Sequence, residues 1–119
     1  MQRLADVLVA VVALEHVWFL VLEMFLWTKP IGRRTFGQSE EQARITATLA
    51  ANQGLYNGFL VAGLVWGLLA PAPLAPSVKL FFLACVVVAG VFGAVTVSRR
   101  ILVVQALPAA IALIALVWP

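Results

Sequence analysis

Apolar residues in this chain run in long blocks, interrupted only by short polar connections. Four such blocks occupy residues 4–27, 45–69, 78–97 and 101–118. A helix needs roughly 20 apolar residues to cross the hydrocarbon core of a bilayer, and each block is about that long. A helix also satisfies its own backbone hydrogen bonds, which lipid requires of any spanning segment. The pattern therefore predicts an all-α membrane protein: an antiparallel four-helix transmembrane bundle, built as one domain over residues 1–119.

The connections carry the local signals. Residues 28–44 form the only substantial polar segment. Lys29-Pro30 ends the first helix, because a proline disfavours helical geometry at the residue before it. Ser39 and Gln42 have capping-box spacing, and Glu40 and Glu41 complement the positive end of the helix dipole, so the second helix begins near Glu40. Residues 70–76 make a proline-rich turn in which Ser77 is positioned to cap the third helix. Ser98-Arg99-Arg100 joins the last two blocks tightly, and Pro108 should kink the fourth. Gly54 and Gly58, Gly63 and Gly67, and Gly90 and Ala94 are small residues four apart, a spacing that lets helices approach closely.

Composition agrees with this pattern. The chain of 119 residues is 64% hydrophobic and 11% charged, whereas soluble domains sit near 45–50% and 25%. The first block lacks a small-residue cleavage site and contains Glu15 and Glu23, so it reads as a retained span and not as a signal peptide. Cys85 is the only cysteine and reads as a packing residue. The formal charge of +3 comes from basic residues beside the spans and not from an extended basic face, which argues against nucleic acid as a partner. Lys29, Arg33, Arg34, Arg44, Arg99 and Arg100 fall in the first and third connections, against Arg3 and Lys79 on the other side. By the positive-inside rule, the first and third connections are cytoplasmic and both termini lie outside, as expected in a bacterial inner membrane. Trp27 then sits at the inner interface, and Trp66 and Trp118 near the outer one.

Against this apolar background the polar residues stand out. Glu15, His16 and Glu23 lie on the first block, where a charged group at the bilayer centre costs at least ~2.5–3.5 kcal/mol. His16 and Glu23 are seven apart and share a face; Glu15 is rotated by about 100° from His16. Asn52, Gln53, Tyr56 and Asn57 form one wide polar face on the second block. Gln105 enters from the same end on the fourth. These groups gather in the cytoplasmic half of the bundle, which suggests a pocket closed on the outer side and not a continuous pore. The bland alternatives are hydrogen bonding between helices and, for Glu23, pairing with an arginine of the connections. One histidine and no cysteine pair give little basis for a metal or haem, and no phosphate-binding loop or catalytic triad is visible. No cofactor is implied.

The segments Leu14-Glu15-His16, Glu23-Met24-Phe25-Leu26-Trp27 and Ala51-Asn52-Gln53-Gly54-Leu55-Tyr56-Asn57-Gly58 resemble a family of small bacterial and fungal membrane proteins, the domain of unknown function 1304. So do Val88-Ala89-Gly90-Val91-Phe92-Gly93-Ala94, Thr96-Val97-Ser98 and Gln105-Ala106-Leu107-Pro108. Phe92 stands where the resemblance leads one to expect tyrosine, and Ala106 where it leads one to expect glycine. The resemblance implies a four-span membrane protein and places the family's polar motif on Glu15, His16, Glu23, Asn52, Gln53, Asn57 and Gln105.

Two functions of different class fit these residues. The first is binding or conversion of a lipophilic small molecule by proton transfer, as in an isomerase, hydratase or cyclase. Glu15, His16 and Glu23 would then be the catalytic groups, and Asn52, Gln53, Tyr56, Asn57 and Gln105 would hold the ligand. The second is a proton-coupled exporter that works as a homodimer, an analogy to other small four-span transporters. A structural or accessory membrane subunit is the remaining alternative.

Overall fold

The computed structural model describes every residue, Met1–Pro119. The chain is helical throughout, with no strand. Helix α1 covers Gln2–Met24, α2 Pro30–Phe36, α3 Glu40–Leu69 and α4 Ala75–Thr96; a π-helical turn, Leu102–Ala106, runs into α5, Leu107–Val117. Helices α1 and α4 are long and apolar enough, by length and composition, to cross a membrane, and Leu102–Val117 is a shorter apolar stretch. Large apolar side chains cover the outside of α4: Phe81, Val88, Phe92 and Val95 are all exposed, Val95 by 82%. Exposed apolar patches of this kind mark membrane or partner contact.

By packing, the chain divides into two compact units, one of Glu15–Val61 and one of Met1–Leu14 with Ala62–Pro119. In the first, α1 and α3 meet through glycine. A Cβ on Gly54 would lie 2.5 Å from Met24 Cγ and 3.1 Å from Glu23 Cβ, and one on Gly58 would lie 3.0 Å from Leu20 Cδ1. The small-residue spacing on α3 therefore packs against a helix of the same chain. The capping box forms as the sequence predicts. The Ser39 backbone N–H donates to Gln42 Oε1 at 3.0 Å, and the Gln42 N–H donates to Ser39 Oγ at 3.1 Å. Two orphan donors at the start of α3 are satisfied reciprocally.

The connection between these helices is more ordered than its composition suggests. It folds as α2, with Pro30 in the first turn and Gly37 closing it at φ 63°. The N–H groups of Gly37 and Gln38 both donate to the Arg33 carbonyl, a glycine-terminated C-cap. Gly32 is indispensable on steric grounds, since a Cβ there would come within 1.9 Å of the Leu26 carbonyl oxygen. Trp27 packs on Phe36 with ring centroids 4.7 Å apart and donates its Nε1–H to Thr46 Oγ1 at 3.0 Å. The Thr46 hydroxyl donates in turn to the Gln42 carbonyl at 2.8 Å.

In the second unit, α4 begins at Ala75, with Leu74 at the N-cap and no side-chain cap. Ser77 lies inside the first turn, so its expected capping role is not realised. Pro76 explains the shift, because proline is favoured in the first helical turn and starts the helix upstream of Ser77. Pro108 likewise falls in the first turn of α5, directly after the π-helical turn. The regular ladder is thus broken ahead of the proline, where its missing N–H is tolerated. Gly90 meets this turn closely: a Cβ there would lie 2.6 Å from the Ala106 nitrogen. Ala106 itself is buried, so the position where the resemblance suggests glycine still holds a small residue.

Candidate functional site

Within the Glu15–Val61 unit, α1 carries the acidic residues and α3 the amides. The buried stripe of α1 includes Ala5, Val9, Val12, His16 and Glu23, at intervals that place them on one helical face. His16 is fully buried, and its ring meets Phe19 edge-on with centroids 5.2 Å apart. Glu23 is 9% exposed, and its carboxylate accepts a hydrogen bond from the Asn57 side-chain amide, itself buried. This Glu23–Asn57 contact joins α1 to α3 and is set by Gly54, about one turn before Asn57, and Gly58, directly after it. Gly54 and Gly58 bring the backbones close enough for two short side chains to meet.

Glu15 is partly buried on an adjacent sector of α1, and its Oε2 is shut away from solvent with no hydrogen-bond partner. A buried acceptor left unpaired costs about 1–3 kcal/mol.

Three of the residues expected on α3 stay outside this arrangement. Asn52, Gln53 and Tyr56 are exposed, and the Asn52 side-chain amide donates to Tyr56 Oη at 3.2 Å along the same helix. Only Asn57 of the four turns inward. Helical rotation explains this: Asn52 lies about 200° from Gly54, so the contact with α1 leaves Asn52 and Tyr56 near the far side of α3. A polar face as wide as the one expected cannot be covered by a single helix. Gln105 belongs to the other unit, where it lies half-buried in the π-helical turn. No group of three or more His, Cys, Asp or Glu side chains has metal-holding geometry.

Two features escape a reading of the sequence alone. Lys79 belongs to α4 and not to the connection before it; it is 5% exposed and forms an ion pair with Asp6 of α1. The available signal is that each is the lone acid or base near one end of an otherwise apolar helix. The second feature is Arg33, whose Nε is buried without a hydrogen-bond partner.

The sequence profile of a family described as protein of unknown function (DUF1304) matches residues 10–117. The chain belongs to this family. Uncharacterized protein YpaA of Lactococcus lactis subsp. lactis (strain IL1403) is 30% identical over 116 residues, covering 96% of this chain and 97% of its own length. No solved structure matches. The match to DUF1304 includes every candidate site residue, from Glu15 to Gln105, and Lys79, but not Asp6.

Proposed function

We infer that this DUF1304 protein crosses the membrane four times, with both termini outside, and binds or converts a lipophilic small molecule by proton transfer. The observation that carries this reading is the buried Glu23 carboxylate. Its hydrogen-bond partner is the amide of Asn57 and not a cation, and it sits on a helix long and apolar enough to cross a bilayer. An acid placed so can hold or release a proton in apolar surroundings, where proton transfer is most sensitive to a neighbouring ligand. Glu15, with its unpaired Oε2, is the second proton carrier, and His16 is the positioning residue between them on α1. Asn57 orients Glu23 toward a ligand carbonyl or hydroxyl. The proton-coupled exporter is the second reading; the exposed Asn52, Gln53 and Tyr56 favour it, since a polar face on a spanning helix calls for a second protomer.

The test uses purified full-length protein with two probes, the neutral lipophile 1-aminoanthracene and the lipophilic cation tetraphenylphosphonium. Saturable 1-aminoanthracene binding that falls at least about tenfold in Glu23→Gln, with the variant still folded, supports the binding reading. Tetraphenylphosphonium efflux from proteoliposomes, driven by a proton gradient, supports the exporter. Glu23→Gln protein with unchanged binding and transport would end both.

A further inference from the structure

The connection between α1 and α3 holds a site that the buried acids do not explain. Pro30, Arg33, Arg34, Gly37 and Gln38 line a cleft of about 470 Å³. Two of the five are arginines in the last turn of α2, and a third residue, Gln38, adds a side-chain amide. Arg33 is only partly exposed, and its Nε is buried with no hydrogen-bond partner. A guanidinium has five N–H donors in a fixed fork, and a single buried N–H of that fork left unpaired is unfavourable by itself. No protein group accepts from this Nε, and the Arg33 carbonyl is taken by the N–H groups of Gly37 and Gln38. That capping also removes a carbonyl that would otherwise repel an anion. The acids of the same connection, Glu40 and Glu41, lie on α3 and do not line the cleft.

We propose that the Arg33–Arg34–Gln38 cleft is a binding site for a phosphate group. Two adjacent guanidiniums match the several oxygens of a phosphate with paired, charge-assisted hydrogen bonds, in a way that a single carboxylate would not use fully. The rest of α2 suits a membrane surface: Ile31 and Phe36 are 46% and 41% exposed beside the arginines, and Trp27 packs on Phe36. Apolar and aromatic side chains set next to basic ones are the composition of an interfacial segment. A phospholipid headgroup and free phosphate share the chemistry that this cleft recognises. Gly32 and Gly37 hold the site in shape, the first by allowing α2 to press against the Leu26–Trp27 turn that follows α1 and the second by turning the chain at the cleft wall.

The experiment uses the full-length protein in detergent, titrated separately with phosphatidylglycerol, phosphatidylcholine and inorganic phosphate at constant ionic strength. Binding is read by native mass spectrometry and by the shift in unfolding temperature. The variants are Arg33→Gln, Arg34→Gln and Arg99→Gln/Arg100→Gln, the last removing two charges from the other basic connection. The expected result is about a tenfold or greater loss of affinity in Arg33→Gln and a smaller loss in Arg34→Gln, with the Arg99/Arg100 variant unchanged. Saturation by inorganic phosphate alone assigns the site to the free group; a response to lipid and none to phosphate assigns it to a headgroup. Equal loss in the Arg99/Arg100 variant would reduce the effect to diffuse charge attraction and overturn the site. Arg33→Gln and Arg34→Gln both binding as the wild type would overturn it as well. Arg34 is exposed and makes no structural contact of note, so its variant keeps the test decisive even if Arg33→Gln does not fold.

Discussion

Two polar pairs, one in each unit, share an architecture and differ in charge. In the Glu15–Val61 unit, Glu23 accepts from Asn57, and Gly54 packs against the Glu23 Cβ. In the other unit, Lys79 pairs with Asp6, and a Cβ on Gly67 would lie 2.7 Å from Lys79 Cγ. Each pair bridges two helices beside a glycine that makes room for it. The difference lies in charge. Lys79 and Asp6 cancel one another, and Asp6 remains about half exposed, so the pair is satisfied as it stands and has little left to offer a ligand. The acid of the Glu23–Asn57 pair meets a neutral amide, and just over two helical turns back along α1 the Oε2 of Glu15 has no hydrogen-bond partner. A pair whose charges cancel holds helices together; an acid without a counter-ion can exchange a proton.

That comparison can be broken most directly by function. Glu15→Gln and Glu23→Gln should each lower saturable 1-aminoanthracene binding or tetraphenylphosphonium transport by at least about tenfold. Proton-transfer groups are worth about 10²–10⁴ in rate where a reaction is followed. Asp6→Ala should leave both readouts unchanged. Equal losses in all three variants would show that the two pairs do the same structural job.

Stability should rank the variants in the opposite order. Asp6→Ala leaves the buried Lys79 without its partner, and we expect it to lower unfolding free energy by about 1–3 kcal/mol. Glu23→Gln keeps shape and hydrogen bond and should change stability by less than about 1 kcal/mol. Chemical denaturation in detergent distinguishes the two. A Glu23→Gln variant that unfolds as readily as Asp6→Ala would make the Glu23–Asn57 contact a staple like its counterpart.

The glycines sharpen the contrast. Gly63→Leu must displace the Phe82 ring, whose atoms would lie 2.2–2.3 Å from the new Cβ. Gly54→Ala would set its Cβ 2.5 Å from Met24 Cγ, on an unbranched side chain that can turn aside, and 3.3 Å from the Leu20 carbonyl oxygen. Overpacking typically costs about 1–3 kcal/mol, so we expect that range for Gly63→Leu and a smaller loss for Gly54→Ala. For Gly54→Ala the probe-binding signal should change more than the stability, because its new methyl also presses on Glu23. The reverse ranking would place the tighter helix contact in the Glu15–Val61 unit.

The smallest expected effect is that of Ser39→Ala. Loss of one arm of the capping box should cost about 1 kcal/mol, seen as faster amide exchange in the first turn of α3, with probe binding intact. Loss of probe binding would mean that the start of α3 participates in the site.

Periodicity and local chemistry by themselves determined the four apolar helical blocks, most of their limits, the capping box at Ser39 and the alignment of His16 with Glu23. Such features depend on neighbours within about one or two turns, and a linear pattern contains them. The small-residue spacing at Gly54 and Gly58 announced a close contact but not its partner, which the fold supplies as Leu20, Glu23 and Met24 of the same chain. Only the tertiary structure decided which of the four polar residues on α3 would be buried: the approach of α1 selects Asn57 and leaves Asn52, Gln53 and Tyr56 exposed. It also decided that Lys79 would pair with Asp6, 73 residues away, and that a proline-bearing polar connection would fold into α2 and seclude the Nε of Arg33. Each of these depends on which helix faces which and at what rotation, a choice set by packing between segments distant in the chain.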